Sequence, residues 1–177
     1  DIDVLQSSAA RAPVICKVTV TTCDDELSRK IEPGVPCSSE RFEAVRRLSQ
    51  MGIYSGILLM PVLPFLEDTE LNITQLVYRA AENGARFIYP AFGVTLRGNQ
   101  REWYYEKLEE RFPGQELARR YRQRFGNAYT CTSPYASHLW KVFTAACRET
   151  GLLYSMQEIV RAYTVGYAKE QLTFFHL

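Results

Sequence analysis

Apolar positions along the chain fall into two rhythms, and the change between them divides it. Near the start, Ile2, Leu5 and Ala9 recur at helical spacing, and residues 12–22 (APVICKVTVTT) are then rich in β-branched side chains. A helix leading into a buried strand is predicted. Residues 24–30 read as a short helix stopped by Pro33-Gly34. Ser38 or Ser39 caps a helix running to about Met51, with Phe42, Val45, Leu48 and Met51 on its core side and Gly52 as its stop. Residues 53–62 form a second apolar run. Asp68 or Asn72 opens another helix, with Ile73, Leu76, Val77, Ala80 and Ala81 inward and Asn83-Gly84 closing it. Residues 87–96 complete a third strand. Strand, helix, strand, helix, strand at these lengths predicts parallel βαβ units. Beyond Arg97 only helical patterns follow, at 102–111, 115–124, 133–150 and 156–169, with Ser133-Pro134 as a cap followed by a first-turn proline.

This divides the chain into an α/β part, residues 1–97, and a helical extension, residues 98–177. Three parallel strands make a poor sheet alone, because both faces and both edges need cover. The opening Asp1-Ile2-Asp3-Val4 reads as the inside of a helix rather than a start, so a missing preceding segment is expected. Composition adds little pull in any direction. The 177 residues are 46% hydrophobic and 23% charged with a formal net charge of +1, as in an ordinary globular protein. That charge draws the chain to neither nucleic acid nor membrane as a whole. The longest apolar run, residues 56–64, is broken by Pro61 and Pro64 and falls well short of the roughly 20 residues that span a bilayer. Five scattered cysteines do not make a disulfide scaffold and suit reduced thiols in a cytoplasmic protein.

Candidate chemistry is concentrated on the first strand. Alternation puts Val14, Cys16, Val18 and Val20 on one face and Lys17, Thr19 and Thr21 on the other. A polar inner face suits a bound polar ligand; equally, Lys17 could reach solvent from the strand's start and the two threonines could be half-buried β-formers. In the second strand Gly56 either admits a ligand to the backbone or relieves crowding, and Pro61 stands at the carboxyl end, where barrel sites lie. Cys131 precedes a capped helix in a loop, where a thiol is accessible and its pKa is lowered, so a reactive role is one reading. Cys16 and Cys147 read as core. With only His138 and His176, a histidine triad or histidine-rich metal site has little support. Residues 97–124 carry seven Arg and one Lys against five Glu, with Trp103, Tyr104, Tyr105 and Tyr121 interleaved. That mixture fits an ion-paired solvated face, or, as the alternative function, a non-catalytic nucleic-acid-binding module.

Thr19-Val20-Thr21-Thr22-Cys23-Asp24-Asp25-Glu26-Leu27, then Ile31-Glu32-Pro33-Gly34, then Glu40-Arg41-Phe42-Glu43-Ala44 resembles the central portion of radical S-adenosylmethionine proteins of the spore photoproduct lyase-like group. Residues 56–64, 92–97 and 126–134 resemble later parts of the lyase-like branch, so the likeness covers essentially the whole chain. It implies the last three strands of a partial (β/α)6 TIM-like barrel followed by a helical extension. It implies S-adenosylmethionine and a 4Fe–4S cluster as cofactors of the intact parent protein. Thr21 would correspond to a hydroxyl residue contacting S-adenosylmethionine, with Lys17 and Thr19 as neighbours and Gly56 and Pro61 flanking.

One departure bears on activity. The family holds its cluster by a CxxxCxxC triplet, whereas the gaps between cysteines here are 7, 14, 94 and 16 residues. Without three closely spaced thiolates no cluster forms on this chain and no electron reaches the sulfonium. The chain alone is therefore expected to be inactive, to partner the missing N-terminal half of the same protein, and to self-associate through an exposed half-barrel.

Overall fold

The computed structural model describes residues 1–167. In chain order the elements are α1 (Ile2–Ala9), β1 (Cys16–Thr19), α2 (Asp25–Ile31), α3 (Ser38–Gln50), β2 (Ser55–Leu59), α4 (Glu70–Glu82), β3 (Ile88–Pro90) and β4 (Gly93–Thr95). Then come α5 (Gly98–Arg111), α6 (Leu117–Phe125), β5 (Thr130–Thr132), α7 (Ala136–Thr150) and α8 (Met156–Thr164). Strands β1, β2 and β3 form a parallel sheet in that order, with Lys17 beside Gly56 and Leu58 beside Tyr89. The α/β character and the βαβ units expected from the periodicity are present. The sheet is open: no closed barrel forms among the described residues.

The register explains which face is packed. Val20, Ile57, Leu59 and Ile88 point to one side and are fully buried, with Val18 partly buried beside them. Against them lie Phe42 and Val45 of α3, Ile73, Leu76, Val77 and Ala80 of α4, and Leu139, Phe143 and Ala146 of α7. Each fully buried aliphatic side chain contributes roughly 1.5–3 kcal/mol, so this single layer dominates the α/β half. Helix α7 belongs to that core although the periodicity assigns it to the extension. A second core joins α5, α6 and the β4–β5 ribbon through Leu96, Tyr105, Leu108, Leu117, Tyr121 and Cys131.

Three local expectations are corrected. The third strand does not run through residues 87–96. After Pro90 the chain leaves the sheet, Gly93 N–H donates to Ala91 O at 3.0 Å, and β4 pairs antiparallel with β5. Gly93 has φ 153°, and a Cβ there would lie 2.6 Å from Cys131 O, so the crossing demands glycine. Helix α3 is capped by Cys37 rather than Ser38 or Ser39, with Cys37 N–H donating to Glu40 Oε2 at 2.8 Å. Helix α7 starts at Ala136, because Ser133 accepts from Tyr135 N–H and gives its own proton to Asp68. The predicted last helix is seen as α8, and its expected end at Lys169, like His176, lies outside the described residues.

The opposite face of the sheet is treated differently along its length. At the amino end, the Phe87 ring lies over Gly56, Tyr54 stacks on Phe87 at 5.7 Å, and Tyr163 of α8 sits beside Tyr54. Beside Gly56 Lys17 is nonetheless exposed, and towards the carboxyl end Thr19, Leu58, Met60 and Tyr89 are only half-buried. The edges differ too. The outer side of β3 is closed by Leu153, which accepts from Ile88 N–H and donates to Arg86 O. No strand among the described residues pairs with the outer side of β1. Its outward Thr19 carbonyl is taken instead by the Arg41 guanidinium at 3.0 Å.

A Cβ at Gly56 would meet Phe87 O at 2.4 Å and the Phe87 ring at 2.6 Å. Because the first of these is backbone, Gly56→Ala should cost about 1–3 kcal/mol in urea denaturation. Gly98→Ala is the control: nothing lies within 4 Å of it, and it should be neutral or stabilising by up to about 1 kcal/mol.

Candidate functional site

The carboxyl ends of β1 and β2, where open α/β sheets place their ligands, are joined by a buried polar knot. Its centre is Glu67, only 1% exposed, in the connection between β2 and α4. Thr21 Oγ1 donates to Glu67 Oε1 at 2.5 Å and Leu63 N–H donates to Oε2 at 2.8 Å. Asn72 Nδ2 donates to Thr21 O and to Glu67 O, both at 2.9 Å, while its Oδ1 accepts from Cys23 N–H. Next door, Asp68 accepts from Phe65 N–H at 2.7 Å and from the Ser133 hydroxyl at 2.6 Å. Phe65 lies between them at φ 69°, a left-handed conformation that the Asp68 bond holds in place. Tyr121 OH donates to Pro64 O and receives a bond from Tyr104 OH. One loop thus ties β1, β2, α4, α6 and the start of α7 together.

Among the described residues no basic side chain is bonded to Glu67, and burial is the main reason that its carboxyl is pushed up to about 7. The bonds from Thr21 and Leu63 pull the other way, and the carboxylates of Glu32 and Asp68 add to the rise. The chemistry tolerates either protonation state. As a carboxylate, Glu67 accepts from Thr21. As an acid, it can give its proton to Thr21 Oγ1 and still accept from Leu63, with the hydroxyl reversing its role.

The candidate residues are dispersed around this knot. Thr21 is buried, with its hydroxyl proton committed to Glu67. Lys17 and Thr19 share its face of β1, Lys17 in solvent and Thr19 half-buried. Pro61 is exposed just beyond β2, so Thr19, Thr21 and Pro61 lie towards the carboxyl end of the sheet, with Lys17 nearer its amino end beside Gly56. Gly56 is corrected: Phe87 fills the space above it, which makes it a packing glycine rather than a ligand approach. Cys131 is corrected as well. It lies on β5 rather than in a loop, is fully buried, and has its thiol pKa raised by burial, against the lowering pull of Arg101. An accessible, activated thiol is not what the fold provides there. Cys147 is also buried, its thiol pushed up to about 12.

Alternation and spacing gave no hint of Glu67 or Arg101, and marked Asn72 only as a helix opener. Arg101 is buried and donates to Leu96 O, Gly126 O and Ala128 O and to Tyr105 OH, fixing the ribbon to α5. A polar residue inside an otherwise apolar or turn-rich stretch, as in Leu66-Glu67-Asp68, was the available signal. Of the four arginines on α6, Arg119 pairs with Glu116, Arg122 with Glu102, and Arg120 lies over the Phe65 ring. Among the described residues no group of three His, Cys, Asp or Glu side chains could hold a metal ion, and no helix is long and apolar enough to cross a membrane.

No family model matches the chain, and no solved structure matches it. It is similar to an uncharacterized protein of Mycobacterium tuberculosis, 31% identical over 125 residues, which are 71% of this chain and 36% of that protein. An uncharacterized protein of Mycobacterium bovis matches to the same extent. The uncharacterized protein ORF301 of Acidianus two-tailed virus is 27% identical over 116 residues, 63% of this chain and 37% of the viral protein. The chain thus spans about a third of the length of the curated relatives it matches.

The raised Glu67 pKa fixes a direction for stability against pH. Between its ordinary value near 4.5 and about 7 the folded state holds a proton that the unfolded chain has lost. Stability therefore falls as pH rises through that window, by about 3 kcal/mol if Glu67 acts alone. Glu67→Gln, which keeps the acid's hydrogen-bonding pattern, should remove that slope and be the more stable protein at pH 8, as read by urea denaturation at a series of pH values.

Proposed function

We propose that the chain is the cofactor- and substrate-supporting part of a radical S-adenosylmethionine protein of the spore photoproduct lyase-like group. In this reading its three strands are the last three of a partial (β/α)6 barrel. One observation carries the proposal. A parallel sheet packed by helices on one face leaves much of the other uncovered, and the exposed Lys17 and half-buried Thr19 lie on it, with the buried Thr21 just beyond the strand. Sheets of this type normally bury both faces, so a half-buried row of Thr19, Leu58, Met60 and Tyr89 fits a surface that faces a barrel interior. The unpaired side of β1 fits a strand that continues into a further βαβ unit of a longer polypeptide.

The fit of the cofactors differs. For S-adenosylmethionine the open face offers Lys17, with no carboxylate within ion-pair distance among the described residues, the Thr19 and Thr21 hydroxyls, and the exposed Pro61 end of β2. Those residues would hold it. Thr21 has its proton engaged by Glu67, so it meets a ligand as an acceptor, and protonation of Glu67 would turn it into a donor. When bound, S-adenosylmethionine supplies a sulfonium as the source of a 5′-deoxyadenosyl radical. The iron–sulfur cluster does not fit this chain. Cys16, Cys23, Cys37, Cys131 and Cys147 do not come together, and Cys37, Cys131 and Cys147 are buried in separate places. Cluster ligands would have to come from elsewhere in the polypeptide. This chain's own part is to bind and orient, and to keep water from one side of the site through the packed core behind β1 and β2.

The test uses the intact protein. Thr21→Val should weaken S-adenosylmethionine binding about tenfold, the loss of one hydrogen bond to a charged ligand, while iron and sulfide content stay unchanged. The 177-residue chain alone should neither assemble a cluster nor cleave S-adenosylmethionine. Unchanged binding in the variant, or cleavage by the chain alone, would sink the reading.

A further inference from the structure

Where the chain leaves β3 for the β4–β5 ribbon, the ribbon and α7 diverge and enclose a cleft of about 590 Å³. That is within the range of small-molecule sites. Its walls follow from local periodicity. On β5, Cys131 points into the second core, so Thr130 and Thr132 are left on the exposed side, and both line the cleft. On α7, Ser137, Trp140 and Lys141 fall at spacings of three and four, share one face, and line the opposite wall. Phe92 lies between the walls.

Trp140 sets the chemistry. Its indole is held on one side by Tyr154, edge-on at 6.1 Å, and by Phe143 at 5.7 Å, yet the residue remains 46% exposed. An aromatic ring fixed from behind and open in front is a stacking platform that loses little entropy when a second ring lies on it. Lys141 supplies charge. No carboxylate lies within 4 Å of its ammonium group among the described residues, and it is the only charged residue in the lining. The hydroxyls of Thr130, Thr132 and Ser137 add donors and acceptors between ring and cation.

Two other depressions do not offer this combination. The groove between α1 and α3, about 630 Å³, has no aromatic wall, and its Glu43 is already paired with Arg46 and Arg47. The hollow beside Trp103 holds only about 70 Å³, and Lys30, Lys107 and Arg111 around it are bonded to Glu26, Glu110 and backbone carbonyls.

We infer that the cleft between the ribbon and α7 binds a planar aromatic ring carrying a phosphate or carboxylate, the ring on Trp140 and the anion at Lys141. The inference is independent of the S-adenosylmethionine reading, since it uses neither the open sheet face nor the Glu67 knot. The chain contains two tryptophans, so Trp103→Phe in the full chain leaves Trp140 as the one indole reporter. Three probes separate ring from charge: adenosine 5′-monophosphate, adenosine and ribose 5-phosphate. The monophosphate should quench Trp140 and bind about tenfold more tightly than adenosine, the value of one charge-assisted bond, and ribose 5-phosphate should not quench. Lys141 is exposed, so Lys141→Ala leaves the fold intact, and it should bring the monophosphate down to the affinity of adenosine without changing adenosine itself. Absence of quenching by the monophosphate, equal binding of monophosphate and adenosine, or a preference that survives Lys141→Ala would each overturn the inference.

Discussion

A parallel sheet cannot satisfy itself: its crossovers lay helices against it, and it is stable where both faces are covered. In this chain α3, α4 and α7 cover one face and build the main core, while among the described residues the other is covered at its amino end by Phe87, Tyr54 and α8. Among the described residues Lys17 is exposed, Thr19, Leu58, Met60 and Tyr89 are only half-buried, and no strand pairs with the outer side of β1. The proposed cofactor-supporting role rests on this asymmetry. It locates a polar surface at the end of the sheet where ligands are bound, and it leaves an edge suited to further strands.

The Glu67 knot is the structural answer to ending two strands beside an open face. Glu67, Asn72 and Asp68 satisfy the loop's backbone groups with side chains, Thr21 donates to Glu67, and Ser133 and Tyr121 extend the same bonds to the helical half. A buried carboxyl without a cation costs stability above its raised pKa. What it offers in exchange is a fixed Thr21 hydroxyl at the edge of the proposed cofactor face, whose donor or acceptor role depends on one proton.

Much of this architecture was readable in the sequence, and the limits have physical causes. The three βαβ strands, their crossover helices and the inward positions of α3 and α4 follow from periodicity, because repeated burial on one side leaves a repeated signal. The polar alternation of Lys17, Thr19 and Thr21 likewise singled out the face that is open. The break after Pro90 was hidden, since an apolar run reads the same whether it continues in one sheet or crosses to another, and only Gly93 marked it. Cys131 misled because a three-residue strand flanked by turn residues has no period to detect. Gly56 was ambiguous by nature: the same missing Cβ admits a ligand or a neighbouring ring, and only the position of Phe87 decides. Glu67 and Arg101 were hard to place because part of what they bond lies 46 and 25 residues away.

The central claim is that the open face and outer edge of β1 are built to be covered by other parts of a longer polypeptide. Amide hydrogen exchange at Lys17 and Thr19 tests it most directly, because alternation turns these two N–H groups away from β2. The account predicts rapid exchange in the 177-residue chain and strong protection in the intact protein. Equal exchange in the two would contradict it.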